Sequence, residues 1–129
     1  CAADVAESVY KTGDKVSMKF TTVALYGGVP QISVPADKIT VLGTGTLRSQ
    51  AFTANPVAED IGKYGTMANK TLSASLVSGG AGGSTTIDGF SFRNECGSSI
   101  AAGSYDFKGF VWSFNTTVQL TMYETQTAK

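Results

Sequence analysis

Apolar and polar residues alternate along most of this chain at a period of two, the pattern of half-buried β-strands. The first such segment is Lys15–Tyr26, in which Val16, Met18, Phe20 and Ala24 fall on one side. The same pattern predicts further strands at 32–34, 39–47, 72–77 and 85–93. Prolines flank the segment 32–34, so we expect it at a sheet edge or at a bulge.

The most regular alternation lies in the last third of the chain. Its large apolar residues at even positions are Phe110, Trp112, Phe114, Val118, Leu120 and Met122. This register fits either one long bent strand or a hairpin that turns at Asn115–Thr116. Because Trp112 shares a face with two phenylalanines, we expect it to pack in the core.

A second apolar stripe lies on the opposite face of the same segment. By parity it consists of Tyr105, Phe107, Val111 and Tyr123. If the even face is the core, this stripe is exposed, and an exposed apolar stripe indicates an interface.

Two segments depart from the strand pattern. Residues 2–12 fit either a short helix or a loose N-terminal arm. Residues 55–61 combine an N-cap residue, a proline at the first helical position and acidic residues in the first turn. Together with Val57, Ile61 and Tyr64 at helical spacing, they predict one short helix near residues 56–64.

These elements predict an all-β protein of a single domain, 1–129. About seven short strands separated by turns favour an antiparallel two-sheet, immunoglobulin-like sandwich over a barrel. No apolar run approaches the length of a membrane-spanning helix.

The net charge and the amino-acid composition argue against several classes of function. Ten basic and ten acidic residues give zero net charge, so the chain lacks the basic patch of a nucleic-acid-binding protein, and charge does not oppose self-association. There is no histidine, which excludes Ser-His-Asp and Cys-His catalysis and the usual zinc sites. We expect no catalytic residue, no metal and no cofactor, and therefore not an enzyme.

Cys1 and Cys96 are the two cysteines. They admit one disulfide, which would pin the N-terminus and stabilise the fold by about 4–5 kcal/mol in the chain-entropy model. The alternatives are a lipid attached to Cys1, or two free thiols. A chain that opens on cysteine predicts that a leader or flanking segment has been removed, and the disulfide points to a secreted or extracellular protein.

The run Ile100-Ala101-Ala102-Gly103-Ser104-Tyr105, followed by alternating apolar residues, resembles the entry to the final strand of bacterial chaperone–usher pilins and related fimbrial adhesins. The resemblance covers about a fifth of the chain. It implies an immunoglobulin-like sandwich completed by a strand from a sister subunit, a periplasmic chaperone, and a place at the bacterial cell surface. The chain departs from that family in Ser113–Glu124, which adds the length of another strand, so that Thr116–Tyr123 would be the donated strand.

From these observations we expect an exported structural or adhesive subunit, fimbrial or pilin-like, that assembles by β-strand pairing and meets a host receptor or glycan. The alternatives are a carbohydrate-binding module and a viral capsid or decoration protein. The residues predicted to form the assembly or binding strands are Tyr105, Phe107, Val111, Trp112, Val118, Leu120, Met122 and Tyr123.

Overall fold

This computed structural model describes Tyr10 and residues 13–26 and 29–129. The protein is all-β, as predicted. Its strands are β1 (Asp14–Met18), β2 (Val23–Tyr26), β3 (Val29–Ile32), β4 (Ile39–Thr44), β5 (Ser49–Ala51), β6 (Tyr64–Leu72), β7 (Ser84–Ile87), β8 (Phe90–Asn94), β9 (Gly103–Phe114) and β10 (Thr117–Met122). Its residues cluster in two compact units that divide between Leu47 and Arg48. The segment 2–12, predicted as a helix or an arm, lies outside the described residues except for Tyr10.

The first unit contains one long two-stranded hairpin, which we call the N-terminal hairpin (described residues 13–45). The chain runs out along β1 and β2 and returns along β3 and β4, with β1 antiparallel to β4 and β2 antiparallel to β3. A hydrogen bond of 3.1 Å from Lys19 N to Lys38 O links the two paired regions.

The single strand predicted at Lys15–Tyr26 is therefore two strands. On the returning side, a 3-10 turn at Ala36–Lys38 follows Pro35. Proline cannot donate a hydrogen bond, so it interrupts a strand ladder readily. The edge strand predicted at 32–34 lies two to three residues earlier, at β3, and contains Pro30.

The second unit contains one six-stranded sheet in the order β5-β6-β9-β10-β8-β7. Two of its neighbouring pairs, β5 with β6 and β8 with β10, are parallel. The prediction of a purely antiparallel architecture is therefore wrong. Alternation within a strand reports its buried face but not the direction of its neighbours, so the local pattern carried no signal for these pairs.

Strands β9 and β10 form a hairpin, which confirms one of the two alternatives for the last third of the chain. Phe114 pairs with Thr117 across the turn at Asn115–Thr116. Asn115 has a φ of 55°, and asparagine tolerates this left-handed conformation better than most residues.

The predicted short helix is a single 3-10 turn, Ala58–Asp60. The Asp60 carboxylate accepts a hydrogen bond of 3.0 Å from Val57 N and caps the turn. Beyond Ile61 the chain does not continue as a helix, because Tyr64 already begins β6. The nine-residue strand that follows was missed from the sequence except for its last residue.

The six-stranded sheet curls around the core. The rings of Phe92 on β8 and Phe107 on β9 lie 4.9 Å apart although β10 separates their strands. The fully buried core side chains also include Met67, Val111, Leu120 and Met122.

Glycines allow close approach between strands of this sheet. A Cβ atom on Gly109 of β9 would collide with the backbone oxygen of Thr121, and one on Gly65 of β6 would collide with the backbone oxygen of Gln50 and the Phe52 ring. Gly65 and Gly109 are themselves cross-strand partners. At this pair neither strand carries a side chain, which leaves room for the neighbouring backbones and the Phe52 ring to pack closely against both glycines.

The curl brings β6 close to the β7–β8 turn, although the two are not neighbours in the sheet. Lys70 Nζ lies 3.3 Å from a carboxylate oxygen of Asp88 and 3.9 Å from the centre of the Phe90 ring. The Lys70 side chain is 13% exposed, so its apolar stem covers one edge of the core.

The C-terminal residues lie along the free edge of β9. Ala128 forms an antiparallel bridge with Tyr105, and Lys129 N donates to Ser104 O at 2.9 Å. The Lys129 ammonium forms an ion pair of 2.7 Å with Asp106. The tail thus continues the sheet past the end of β10.

Candidate functional site

One face of the β2–β3 pair, in the N-terminal hairpin, carries only apolar side chains. Directly opposed residues of an antiparallel pair lie on the same face, so Val23 lies beside Ile32, and Leu25 beside Pro30. Val23, Leu25 and Ile32 are 56%, 75% and 41% exposed. We call these four residues the apolar face. A contiguous exposed apolar patch is uncommon on a monomeric protein and marks an interaction surface.

Apolar exposure continues along the rest of the hairpin and its flank. The other large exposed apolar residues of this unit are Met18, Phe20, Tyr26, Val41, Leu42 and Leu47. A two-stranded hairpin with so little buried surface is marginally stable alone. Burial against a partner would stabilise it.

The end of the hairpin carries no charge. No Asp, Glu, Lys or Arg lies between Lys19 and Asp37. Among the described strands, β2 and β3 pair only with each other, so each has an open edge. Proteins commonly protect such edges with charged residues, lysine above all, and this protection is missing here.

The charges nearest the returning strand neutralise each other. Lys38 donates a hydrogen bond to the Asp37 carboxylate, and this bond is the largest cause of the lowered pKa of Asp37.

The residues predicted from the sequence to form assembly strands lie elsewhere, in the six-stranded sheet. Tyr105, Phe107, Val111, Leu120 and Met122 are all buried, at 4% exposure or less. The prediction that the odd-numbered stripe of β9 is exposed is wrong. This stripe faces the core, because Phe107 contacts Phe92 from within the curled sheet.

The remaining predicted site residues are less buried. Trp112 and Val118 are half-buried, and Tyr123 is 37% exposed. Phe110 and Phe114, which share the face of Trp112, are 37% and 55% exposed. The core position predicted for Phe110, Trp112 and Phe114 is therefore wrong as well, whereas Leu120 and Met122, at even positions of β10, are fully buried.

A polar contact borders this outer face. Tyr64 packs edge-on against Phe110 with ring centres 5.0 Å apart, and its hydroxyl donates to the Glu124 carboxylate. Burial, and then the hydrogen bond and the negative charge of Glu124, raise the pKa of Tyr64 to about 12. Tyr64 therefore stays a neutral donor through the physiological range.

Among the described residues Cys96 has no disulfide partner, and its Sγ lies 3.2 Å from Ser98 O. Cys1 lies outside the described residues, so the disulfide between the two stays a prediction.

Within residues 13–26 and 29–129, no group of three or more Cys, Asp or Glu side chains is placed to hold a metal ion. No helix in the described part of the chain is long and apolar enough to cross a membrane.

The apolar face was missed from the sequence. Its alternation at Val23 and Leu25 indicates a strand, and a strand with one apolar face is ordinarily taken to bury that face. The one sequence signal that could have singled it out is the uncharged run 20–36, which is unusual for a surface segment.

Comparisons with known proteins found no relative: no family model, no curated protein and no solved structure matches the chain.

Proposed function

We propose that this protein is a structural subunit that assembles with copies of itself through the N-terminal hairpin. The observation that carries the proposal is the apolar face, in which Leu25 is 75% exposed between two other exposed aliphatic residues. Exposing such an apolar surface to water is thermodynamically unfavourable. Fully burying a Val, Leu or Ile side chain contributes about 1.5–3 kcal/mol.

Contact between copies meets no electrostatic barrier. The chain has zero net charge, and the run 20–36 of each copy is uncharged. Association must offset several kcal/mol of lost translational and rotational freedom. Six aliphatic residues from two copies supply a driving force of that order.

The setting that we propose is an exported, fimbrium-like structure at a bacterial surface. Support comes from the low proportion of charged residues, 16%, and from strands rich in threonine and serine. An exposed, uncharged hairpin also needs protection before assembly, which a periplasmic chaperone would provide.

The proposal moves the assembling segment from the C-terminus to the N-terminal hairpin. Residues 116–123 were the predicted donor strand, but β10 already lies between β9 and β8 and buries Leu120 and Met122 completely. Deleting 116–129 would remove part of the core rather than an assembly strand. The immunoglobulin-like sandwich stays a prediction, and the proposal does not depend on it.

A charge placed on the apolar face tests the proposal. Leu25→Lys should abolish concentration-dependent association in sedimentation velocity, because a buried unpaired ammonium is strongly disfavoured. The matched control is Val57→Lys, at a residue that is 55% exposed in the second unit, and it should associate like the wild type. A wild-type protein that stays monomeric at all concentrations would refute the proposal. Electron microscopy of the product then separates a filament from the uniform particles of a capsid protein.

A second candidate, glycan binding, is favoured by the exposed aromatic residues of β9. Phe110, Trp112 and Phe114 lie at alternate positions on the outer face, and flat aromatic faces stack on sugar rings. Quenching of Trp112 fluorescence by glycans, lost in Phe114→Ala, would support this function. Unchanged fluorescence across a broad glycan panel would count against it.

A further inference from the structure

We propose that copies join through the outer edge of β2, which pairs antiparallel with β2 of a second copy. This inference rests on the proposed function and names the edge and the register of the contact.

Pro30 shows which backbone groups face outward. A proline fits in an antiparallel ladder only where its nitrogen points away from the partner strand. Pro30 lies opposite Leu25, so this pair is not hydrogen-bonded, and at Pro30 the outer edge of β3 lacks one of its donors. Backbone groups alternate in direction along the ladder. On β2, the N–H and C=O groups of Val23 and Leu25 therefore face outward.

The two edges of the hairpin are protected unequally. The returning side carries Pro30 and Pro35, whereas the outgoing side, 14–26, has no proline. Pairing to β3 is blocked by a missing donor, and pairing to β2 is not. The asymmetry favours β2 as the edge that a partner strand uses.

The charges identify the occupant as a second copy. A partner strand at β2 would lie against a surface without charge, so it must itself be uncharged to avoid burying an unpaired ion. Residues 20–36 of another copy meet this requirement. A β2–β2 contact is also self-complementary, as a two-fold symmetric interface must be.

The outward groups restrict the register. Val23 and Leu25 must lie opposite outward-facing residues of the second copy, so the two-fold axis passes through a residue position rather than between two. An axis at Ala24 places Val23 opposite Leu25 of the second copy, so that the outward groups of both residues are paired. The product is a four-stranded sheet with both apolar faces on one side, where further copies can pack.

A proline in β2 tests the edge. Leu25→Pro removes an outward donor but leaves the β2–β3 ladder intact, as Pro30 does on the other strand. Two hydrogen bonds are lost per pair of copies, so association should weaken about tenfold or more. The matched control is Leu25→Ala, which shortens the same side chain but keeps the backbone donor. Leu25→Pro should associate about tenfold or more weakly than Leu25→Ala, and equal association of these two variants would overturn the β2 edge.

The outcomes separate this inference from the proposed function. If Leu25→Pro associates like the wild type while Leu25→Lys does not, the β2 edge is wrong and self-assembly through the hairpin stands. If neither variant changes association, both proposals fail.

Cross-linking tests the register without depending on proline. At the axis, two copies of residue 24 form a non-hydrogen-bonded pair, with Cα atoms about 4.5 Å apart, within the range that a disulfide spans. Under mild oxidation, Ala24→Cys should form a disulfide between the introduced thiols of two copies, identified by peptide mapping. Gln31→Cys is its matched control, because Gln31 lies opposite Ala24 on β3. Equal cross-linking by both variants, or none by Ala24→Cys, would overturn the register.

Discussion

The side-chain amide of Gln126 takes the place of a peptide group beside Lys108. Its Oε1 accepts a hydrogen bond of 2.7 Å from Lys108 N, and its Nε2 donates one of 3.1 Å to Lys108 O. β10 ends before it reaches this part of β9, so the backbone of Lys108 would otherwise face an open edge. A side chain, and not a strand, completes the sheet at this point.

Gln126→Ala should therefore loosen the C-terminal tail. Three hydrogen bonds to the backbone are lost, two with Lys108 and one of 2.8 Å to Glu124 O, and the free energy of unfolding should fall by about 1–3 kcal/mol. Hydrogen exchange at Lys108 N should accelerate in the same variant. The control is Thr127→Ala at the exposed neighbouring residue, which should change neither quantity. If Lys108 N exchanges at the wild-type rate in Gln126→Ala, the amide does not hold this edge.

Because only one face of β9 is buried, replacing Phe107 and replacing Phe114 by alanine should have very different effects on stability. Phe107 is fully buried, whereas Phe114 is 55% exposed. Phe107→Ala should lower the free energy of unfolding by about 3–5 kcal/mol, and Phe114→Ala should change it by about 0.5 kcal/mol or less. Urea denaturation measures both. The reverse order would show that the even face of β9 is the core.

Phe107 and Phe114 also show which features of the fold can be predicted from the sequence and which cannot. The alternation in the last third predicted extended structure there correctly and gave the hairpin at Asn115–Thr116 as one of two alternatives, because both depend on local residue types. It did not show which face is buried, because β9 carries aromatic residues on both. The choice depends on the strands that flank β9, and Gly65 and Gly109 let the sheet curl toward the odd face. These two glycines are distant in the sequence, so their pairing leaves no local pattern.

The candidate site was harder to predict for a different reason. Val23 and Leu25 belong to a predicted strand, so the local structure was correct. Their exposure follows from the absence of a third described strand beside β2 and β3, and strand number is a property of the whole fold. The prolines and the uncharged run are visible in the sequence, but they indicate an exposed apolar face only once the pairing of β2 with β3 is known.

Lys70 should stabilise the curled sheet through two contacts. Its ammonium lies beside the Asp88 carboxylate and over the Phe90 ring. Lys70→Met keeps the apolar stem and removes the charge, and it should cost about 1–2 kcal/mol of stability. The control is Lys63→Met, which breaks the more exposed ion pair with Asp60 and should cost less than about 1 kcal/mol. Equal losses in urea denaturation would show that the aromatic contact contributes nothing.

Tyr64 predicts how stability changes at high pH. Its pKa is about 12 in the folded protein, against 10.0 as its ordinary value. The fold favours the neutral phenol, so this stabilisation is complete below pH 10 and is lost as the pH rises from 10 toward 12. In Tyr64→Phe, that part of the pH dependence should disappear. Glu124→Gln should lower the pKa of Tyr64 only in part, since burial is the larger cause, and tyrosinate absorbance during titration measures it. If Glu124→Gln leaves the pKa of Tyr64 unchanged, the Glu124 carboxylate does not contribute to raising it.

The most direct test of self-assembly through the hairpin is hydrogen exchange of the wild-type protein over a range of concentrations. The backbone N–H groups of Val23 and Leu25 face outward, so they should exchange quickly in dilute solution and slowly once copies associate. The N–H of Ile32, on the edge of β3, serves as the internal reference and should change little. Protection of Val23 and Leu25 that rises with concentration is the predicted result. Fast exchange at both residues in a protein that has associated would contradict the account.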